Sequence, residues 1–455
     1  MYCLSYLPSW SFVLVLLPRY TLSVSFQEVS SLDLPAAAVA SFVPQGLGPS
    51  PEEPSVLVTT FSPTATNDAI VLLPKLSSVK KGIANLSTFS VDNLAVWPNQ
   101  ADPFPAGMAG FAQINSTQPG ILAAGGFFVN VPFHPSKATG AIDVLTPSLN
   151  GTNFEKHQIS TNKDSFFYHK AAFLDANGDN LSDVITARCY VPPYGLRADQ
   201  SELIWLEQPS STNSEWQEHI LLSSGPDVGF ELVDLPGFDG ANTQVVSTEY
   251  FVNQRLALYW CNGSTWSDCS SNKTDAAVIT EIIDDTEGAM FNLQWVDLNG
   301  DGAKDLLVTS QGDDGSGLVL AYEQPVARRS KEEDHTDSSG WVKHVLADGY
   351  KPLKAFLPGR GSPGTAVAFD AGPLSSSSRA WIVVSADDGG WVDLLVPRID
   401  DGDDWGYEKT RVIQSTGTIG TPAVGDVDGD GIPEVFVPLY DEGRLAMYSI
   451  SSVSQ

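Results

Sequence analysis

Three short segments carry side-chain oxygens at one fixed spacing. They read Asp175-Ala-Asn177-Gly-Asp179-Asn-Leu181-Ser-Asp183, Asp297-Leu-Asn299-Gly-Asp301-Gly-Ala303-Lys-Asp305 and Asp426-Val-Asp428-Gly-Asp430-Gly-Ile432-Pro-Glu434. Carboxylates or amides stand at the first, third, fifth and ninth positions. Alternate positions in a tight loop can turn three oxygens toward one centre, and the glycines permit the bend. The main-chain carbonyls of Leu181, Ala303 and Ile432 can add a ligand, and the ninth-position carboxylate can close the cage. Calcium takes six to eight hard oxygen ligands, whereas magnesium resists that much dehydration. The expectation is structural Ca2+ at about three sites. The frame is not that of an EF-hand, which needs a glutamate at position twelve and helices on both sides. Thr186, Val308 and Val437 stand there instead, inside apolar runs.

The elements that hold these loops repeat. Each loop runs directly into an apolar strand, and successive loops are two units of roughly 60 residues apart. The skipped units survive in degenerate form, as Phe230–Asp239, Val367–Asp370, Gly110–Asn115 and Ala40–Val43, without the full set of carboxylates. A third strand recurs as Leu203–Pro209 and Leu318–Pro325. A fourth carries Trp-x-x-His, at Trp216 to His219 and Trp341 to His344, with a partial copy at His157. Histidines recurring at one strand position read as structural. Four short strands per unit is the signature of a propeller blade. The sequence therefore predicts an all-β fold, a seven-bladed β-propeller with calcium loops between the first and second strands of blades 3, 5 and 7. Blades are expected to start near 38, 106, 167, 228, 289, 361 and 419, within one domain over 26–455. The segment 24–29 is expected to supply the missing outer strand of the last blade, closing an edge otherwise left unpaired.

These loops and repeats resemble the FG-GAP/VCBS repeat family, whose propeller is found at the N-terminus of integrin α chains. The resemblance implies calcium ligands at Asp175, Asn177, Asp179 and Asp183, at Asp297, Asn299, Asp301 and Asp305, and at Asp426, Asp428, Asp430 and Glu434. One departure is Asn180, which replaces the expected glycine and begins an N-glycosylation sequon. Asparagine tolerates the left-handed backbone this position needs. Fungal lectins of this fold bind sugars. The Trp-x-x-His strand is also similar to the propeller of aldos-2-ulose dehydratase, although no cupin domain follows.

The face opposite the calcium loops surrounds the channel mouth. Its expected residues are Tyr168, His169, Arg188, Tyr190, Glu249, Tyr250, Gln311, Asp387 and Tyr440. Aromatics beside carboxylates and amides suit a polyol. His169 with Glu249 is the candidate acid–base pair, and Arg188 could instead pair with Glu249. The favoured reading is a binding protein for carbohydrate or a cell-surface partner. The alternatives are a sugar lyase or hydrolase at the channel mouth, and a structural adhesion module. No nucleophile elbow, P-loop or zinc spacing is present.

Composition narrows the compartment and the partners. The formal net charge of −30 over 455 residues repels nucleic-acid phosphates and gives no basic footprint. Residues 10–17 form an apolar run too short to cross a bilayer, which takes about 20 residues. The expectation is a signal peptide over 1–25 and a secreted chain with no membrane span. Sequons at Asn85, Asn115, Asn150, Asn180, Asn262 and Asn272 point the same way. Cys261 and Cys269 flank a hairpin-sized loop and are expected to form a disulfide, leaving Cys189 buried and unpaired.

Overall fold

A computed structural model describes residues 24–44, 47, 50–65, 67–77, 82–108, 119–126, 139–148, 153–161, 165–192, 198–210, 215–235, 243–274, 276–311, 316–325, 340–353, 360–398 and 404–452. The expected signal segment up to residue 23, Gly110–Asn115 and Asn150 lie outside these residues. Among the described residues, no helix is long and apolar enough to cross a membrane.

Strand β1 spans Val24–Asp33, and seven antiparallel sheets of four strands make the blades. Blade 1 holds β2 (Ala37–Val43), β3 (Ser55–Thr60), β4 (Asp68–Leu73) and β5 (Phe89–Ala95). Blade 2 holds β6 (Pro98–Phe104), β7 (Gly120–Gly125), β8 (Ile142–Pro147) and β9 (Phe154–Gln158). Blade 3 holds β10 (Phe166–Leu174), β11 (Asp183–Tyr190), β12 (Gln200–Glu207) and β13 (Gln217–Leu222). Blade 4 holds β14 (Gly229–Val233), β15 (Gln244–Glu249), β16 (Arg255–Cys261) and β17 (Val278–Asp284). Blade 5 holds β18 (Met290–Val296), β19 (Asp305–Ser310), β20 (Gly317–Glu323) and β21 (Val342–Tyr350). Blade 6 holds β22 (Ala366–Phe369), β23 (Trp381–Ser385), β24 (Trp391–Pro397) and β25 (Tyr407–Gln414). Blade 7 holds β26 (Ala423–Gly425), β27 (Glu434–Leu439) and β28 (Arg444–Ser452), with β1 as its outer strand.

Closure joins the two ends of the chain. β1 runs antiparallel to β28, from Val24 opposite Ser452 to Asp33 opposite Arg444. The edge of the last sheet is thereby paired, as an exposed ladder requires.

The burial pattern follows from the stacking. Second strands such as β15, β19 and β27 are buried at every position. A sheet sandwiched on both faces needs a continuous apolar run, so period-two alternation is lost there. Outer strands such as β21 and β25 are largely exposed, because they form the sheet edge that meets water. Each interface between blades has its own apolar cluster. Phe436 and Met447 of blade 7 pack on Val56 and Val58 of blade 1. Val246 and Leu258 of blade 4 pack on Leu306 and Leu320 of blade 5.

One expected boundary is corrected. The second blade begins with β6 at Pro98, not near 106, and its inner strand is Pro98–Phe104. Pro98 and Pro103 argue against a central strand on sequence grounds. An inner strand, however, is a sheet edge facing the channel, where an N–H can be dispensed with.

Candidate functional site

The three acidic loops bridge the first and second strands of blades 3, 5 and 7, and share one set of bonds. The first aspartate accepts two or more backbone amides. Asp426 Oδ1 takes the Gly429 N–H at 2.7 Å and Oδ2 takes that of Gly431 at 2.9 Å. Asp297 repeats this with Gly300 and Gly302, and Asp175 with Gly178 and Asn180. The third position accepts from the fifth residue, and the fifth accepts from the seventh, as in Asp430 Oδ1 with the Ile432 N–H at 2.8 Å. Asn180 adopts φ of 67° where the other loops have Gly302 and Gly431. The residue departs from the pattern while the backbone does not.

The ninth position is buried. Asp183 and Asp305 are 0% exposed and Glu434 is 7% exposed. Each accepts the N–H of the residue after the first aspartate, from Ala176, Leu298 and Val427 respectively. Asp183 also takes the Gln208 N–H at 2.8 Å, so it ties the loop to the end of β12. Desolvation raises Asp183 to about 6 and Glu434 to about 7, and the aspartates of each loop push the same way.

In blade 7, one oxygen from each of Asp426, Asp428 and Asp430 lies within 4.8 Å of the others. Oxygens on one calcium ion, bound at about 2.5 Å, can be no more than about 5 Å apart. The geometry therefore fits a divalent cation. In blades 3 and 5 an asparagine replaces the middle carboxylate. Its amide nitrogen faces the fifth-position carboxylate, at 3.2 Å for Asn177 to Asp179 and 3.3 Å for Asn299 to Asp301.

On the opposite rim, the structure separates the expected residues into two groups. Tyr168, Arg188 and Glu249 are each 0% exposed and sit between strands. Arg188 does not pair with Glu249. It bonds Glu218 through Nη1 at 2.8 Å and Nη2 at 2.9 Å, and Glu202 through Nε at 2.7 Å. Glu249 instead accepts from Tyr259, Asn253 and Arg255. The placement follows from strand register, since Arg188 lies opposite Glu202 and Glu249 opposite Arg255. Tyr190 packs on Phe166 at 5.3 Å, and Tyr440 donates to the Phe61 carbonyl at 2.8 Å.

His169, Tyr250, Gln311 and Asp387 come together at the mouth. His169 is the extra residue of a bulge in β10, and Phe291 holds the same place in β18. A bulge re-aims the side chain it carries. An aromatic run results, with His169 to Phe291 at 6.3 Å, Phe291 to Tyr250 at 5.7 Å and Tyr250 to Phe251 at 4.9 Å. Tyr250 donates to Gln311 Oε1 at 2.6 Å. Burial pushes Tyr250 up to about 12, helped by the carboxylates of Asp387, Asp388 and Asp227. Asp387 has φ of 50°, a strained value for a residue with a Cβ. Burial and Asp388 push Asp387 well above the ordinary carboxylate range, while Arg360 acts in the opposite direction. His169 is lowered to about 4, first by burial and then by Lys170.

Three supports of this rim were not legible in the sequence. Buried Asp227 accepts the N–H groups of Tyr250, Phe251 and Val252 at 2.6–2.9 Å, which fixes the loop after β15. Arg360 pairs with Asp388, and Thr418 donates to Asp388 at 2.7 Å. These partners lie 23 to 30 residues apart in the chain, so no short motif marks them. The recurrent histidines are in outer strands. His219 stacks on Trp205 at 4.3 Å and bonds Glu207 at 2.8 Å, while His344 stacks on Trp405 at 4.2 Å. Cys261 and Cys269 form a disulfide, and Cys189 is buried and free. Asn85, Asn180, Asn262 and Asn272 are exposed; Asn115 and Asn150 lie outside the described residues.

No protein-family model matches the chain, and no curated protein matches it. Among solved structures it is similar to a proposed oxidoreductase (glucose dehydrogenase) of Thermus thermophilus, with 12% identity and a TM-score of 0.35 over 94% of this chain and 100% of that one. It is similar to the V. cholerae biofilm matrix protein Bap1, with 12% identity and a TM-score of 0.36 over 95% and 92%. It is also similar to the PQQ-bound aldose sugar dehydrogenase of Streptomyces coelicolor, with 10% identity and a TM-score of 0.37 over 78% and 96%.

Proposed function

We propose that this chain is a secreted, calcium-bearing propeller of the FG-GAP/VCBS type that binds carbohydrate at the rim opposite its acidic loops and does not turn it over. The observation that carries the reading is the half-buried aromatic run of His169, Phe291 and Tyr250 beside the Gln311 amide and the Asp387 carboxylate. Aromatic faces take the C–H face of a sugar, and planar polar groups take its hydroxyls. The calcium ions are structural in this proposal, because their loops stand on the other face. The disulfide and the four exposed sequons support an extracellular address.

The acid–base alternative lacks its pair. A histidine lowered to about 4 is far from the operating range of a general base at neutral pH. Glu249 is 0% exposed and bonded to Arg255 and Tyr259. A glycan array, run with calcium and with a chelator, tests the proposal. Saturable binding that Tyr250→Ala abolishes, without product formation, supports it. Turnover of a bound glycan, or no binding to any glycan, rejects it.

A further inference from the structure

We infer that Lys156 and Asp92 form a covalent isopeptide bond that staples blade 1 to blade 2, with Asp143 carrying the proton. The bond is independent of the carbohydrate and calcium readings. Asp92 lies on β5 of blade 1, while Asp143 and Lys156 lie on β8 and β9 of blade 2. Lys156 Nζ stands 2.8 Å from Asp92 Oδ2 and 3.1 Å from Asp143 Oδ2. Asp92 is 9% exposed and Asp143 8%. With apolar Ile70, Ala95 and Val96, the three line a cavity of about 170 Å3.

A plain ion pair does not account for this trio. One ammonium is shared by two carboxylates, and Asp143 Oδ1 is buried with no hydrogen-bond partner among the described residues. A buried acceptor left unmet is costly. Burial raises Asp143 above the ordinary carboxylate range, although Lys156 opposes it. Blades 4 and 5 supply the contrast. There Lys343 meets Asp284 Oδ2 at 2.9 Å, but Asp284 also accepts from Tyr322 at 2.8 Å and from Thr286 at 2.7 Å. Burial works to raise Asp284, and its bonds to Lys343, Thr286 and Tyr322 overcome it and hold it low. The second carboxylate there, Glu287, reaches solvent, where water satisfies it.

The step balances with these groups alone. Lys156 passes one proton to Asp92 Oδ2, which leaves a neutral amine beside a neutral acid. Nζ then attacks Asp92 Cγ, and the negative charge that develops on Oδ1 meets the Leu94 N–H, at 2.8 Å before reaction. Asp143 takes the second proton from Nζ and hands it to Oδ2. The Cγ–Oδ2 bond breaks, water leaves through the cavity, and Asp143 returns to its starting state. Nothing is oxidised or reduced. Burial works to lower Lys156, but Asp143 and Asp92 overcome it and hold its ammonium above the usual lysine value. The neutral amine is therefore the minor form, and the bond forms slowly. Holding the amine against the carboxyl gives an effective concentration of about 10⁵–10⁸ M, which drives the condensation toward the amide. The bond joins positions 64 residues apart, so it holds two blades together when the apolar contacts between them open.

The test uses the full chain, folded, aged at neutral pH and then digested with trypsin. Tandem mass spectrometry is expected to find one branched peptide that joins Asp92 to Lys156 and is lighter than its two arms by one water. Lys156→Arg keeps the cation but not the amine. It should give only linear peptides while its melting curve shows a folded chain. Asp143→Asn keeps the size of the side chain and removes the proton carrier, and should slow branching by about 100-fold. Lys343 should appear only in linear peptides. Three results would overturn the inference: only linear peptides from the aged, folded wild type, a branch at Asp143 in place of Asp92, or branching in Asp143→Asn at the wild-type rate. A branch at Lys343 would overturn the role given to Asp143.

Discussion

Replacing Glu434 by glutamine should change the stability of this protein in opposite directions with and without calcium. The carboxylate is 7% exposed, and burial, helped by Asp428, Asp430 and Asp426, raises it from 4.5 to about 7. The folded chain therefore holds this proton more tightly than the unfolded chain does. Without a cation, stability is full below about pH 4.5 and is lost as pH rises to about 7. The shift corresponds to at most about 3 kcal/mol. Glutamine keeps an oxygen to accept the Val427 N–H, a bond of 3.1 Å in the wild type, and carries no charge. In chelator at pH 8, Glu434→Gln should therefore melt higher than wild type. At about 2.1 cal/mol/K per residue, a chain of 455 residues shifts roughly 1 °C per kcal/mol, so the expected gain is about 3 °C. Saturating calcium reverses the sign. An ion held at 100 times its dissociation constant adds about 2.7 kcal/mol to the wild type, and the variant forfeits part of that. Scanning calorimetry of both proteins in both media reads the effect. A variant that is less stable in chelator as well, or a wild type whose melt calcium leaves unchanged, would refute the calcium reading of these loops.

Other outcomes follow from the same reasoning. Arg188→Ala leaves Glu202 and Glu218 without their buried guanidinium, and should cost about 3 kcal/mol in urea unfolding; an unmoved midpoint would show that the cluster contributes nothing. Removing the Cys261–Cys269 disulfide frees a short loop and should cost about 2–3 kcal/mol by the loop-closure relation, read by denaturation of the double serine variant. His169, lowered from 6.5 to about 4, is neutral in the folded chain above that value. Its contribution to stability is full above pH 6.5 and is lost as pH falls toward 4, by up to about 3 kcal/mol. Its imidazole NMR signals should show no titration between pH 5 and 8, and a midpoint near 6.5 would contradict the burial argument.

How much could be read from the chain alone differs between its two faces. The acidic loops are local, with every partner of Asp426 between Gly429 and Gly431. Spacing and residue type therefore suffice to place them. The seven blades were legible because each repeats the same four-strand unit. The inner strand of blade 2 was not, because its prolines read as breakers until the strand is known to be an edge. The rim was only half legible. Strand-end position selected Tyr250 and Gln311, which bond to each other, but it also selected Arg188 and Glu249, which register turns into separate buried pairs.

The sequence by itself determined the seven-bladed architecture and the place of the acidic loops, since both repeat at short range within each unit. Only the tertiary structure decided which side chains meet across blades. Asp92 and Lys156 meet although they belong to different sheets. Arg360 reaches Asp388, and Asp227 holds Tyr250, through contacts between loops 28 and 23 residues apart in the chain. Contacts between blades depend on how sheets stack, on the bulges at His169 and Phe291, and on which strand is an edge. None of these is a property of a short window of residues.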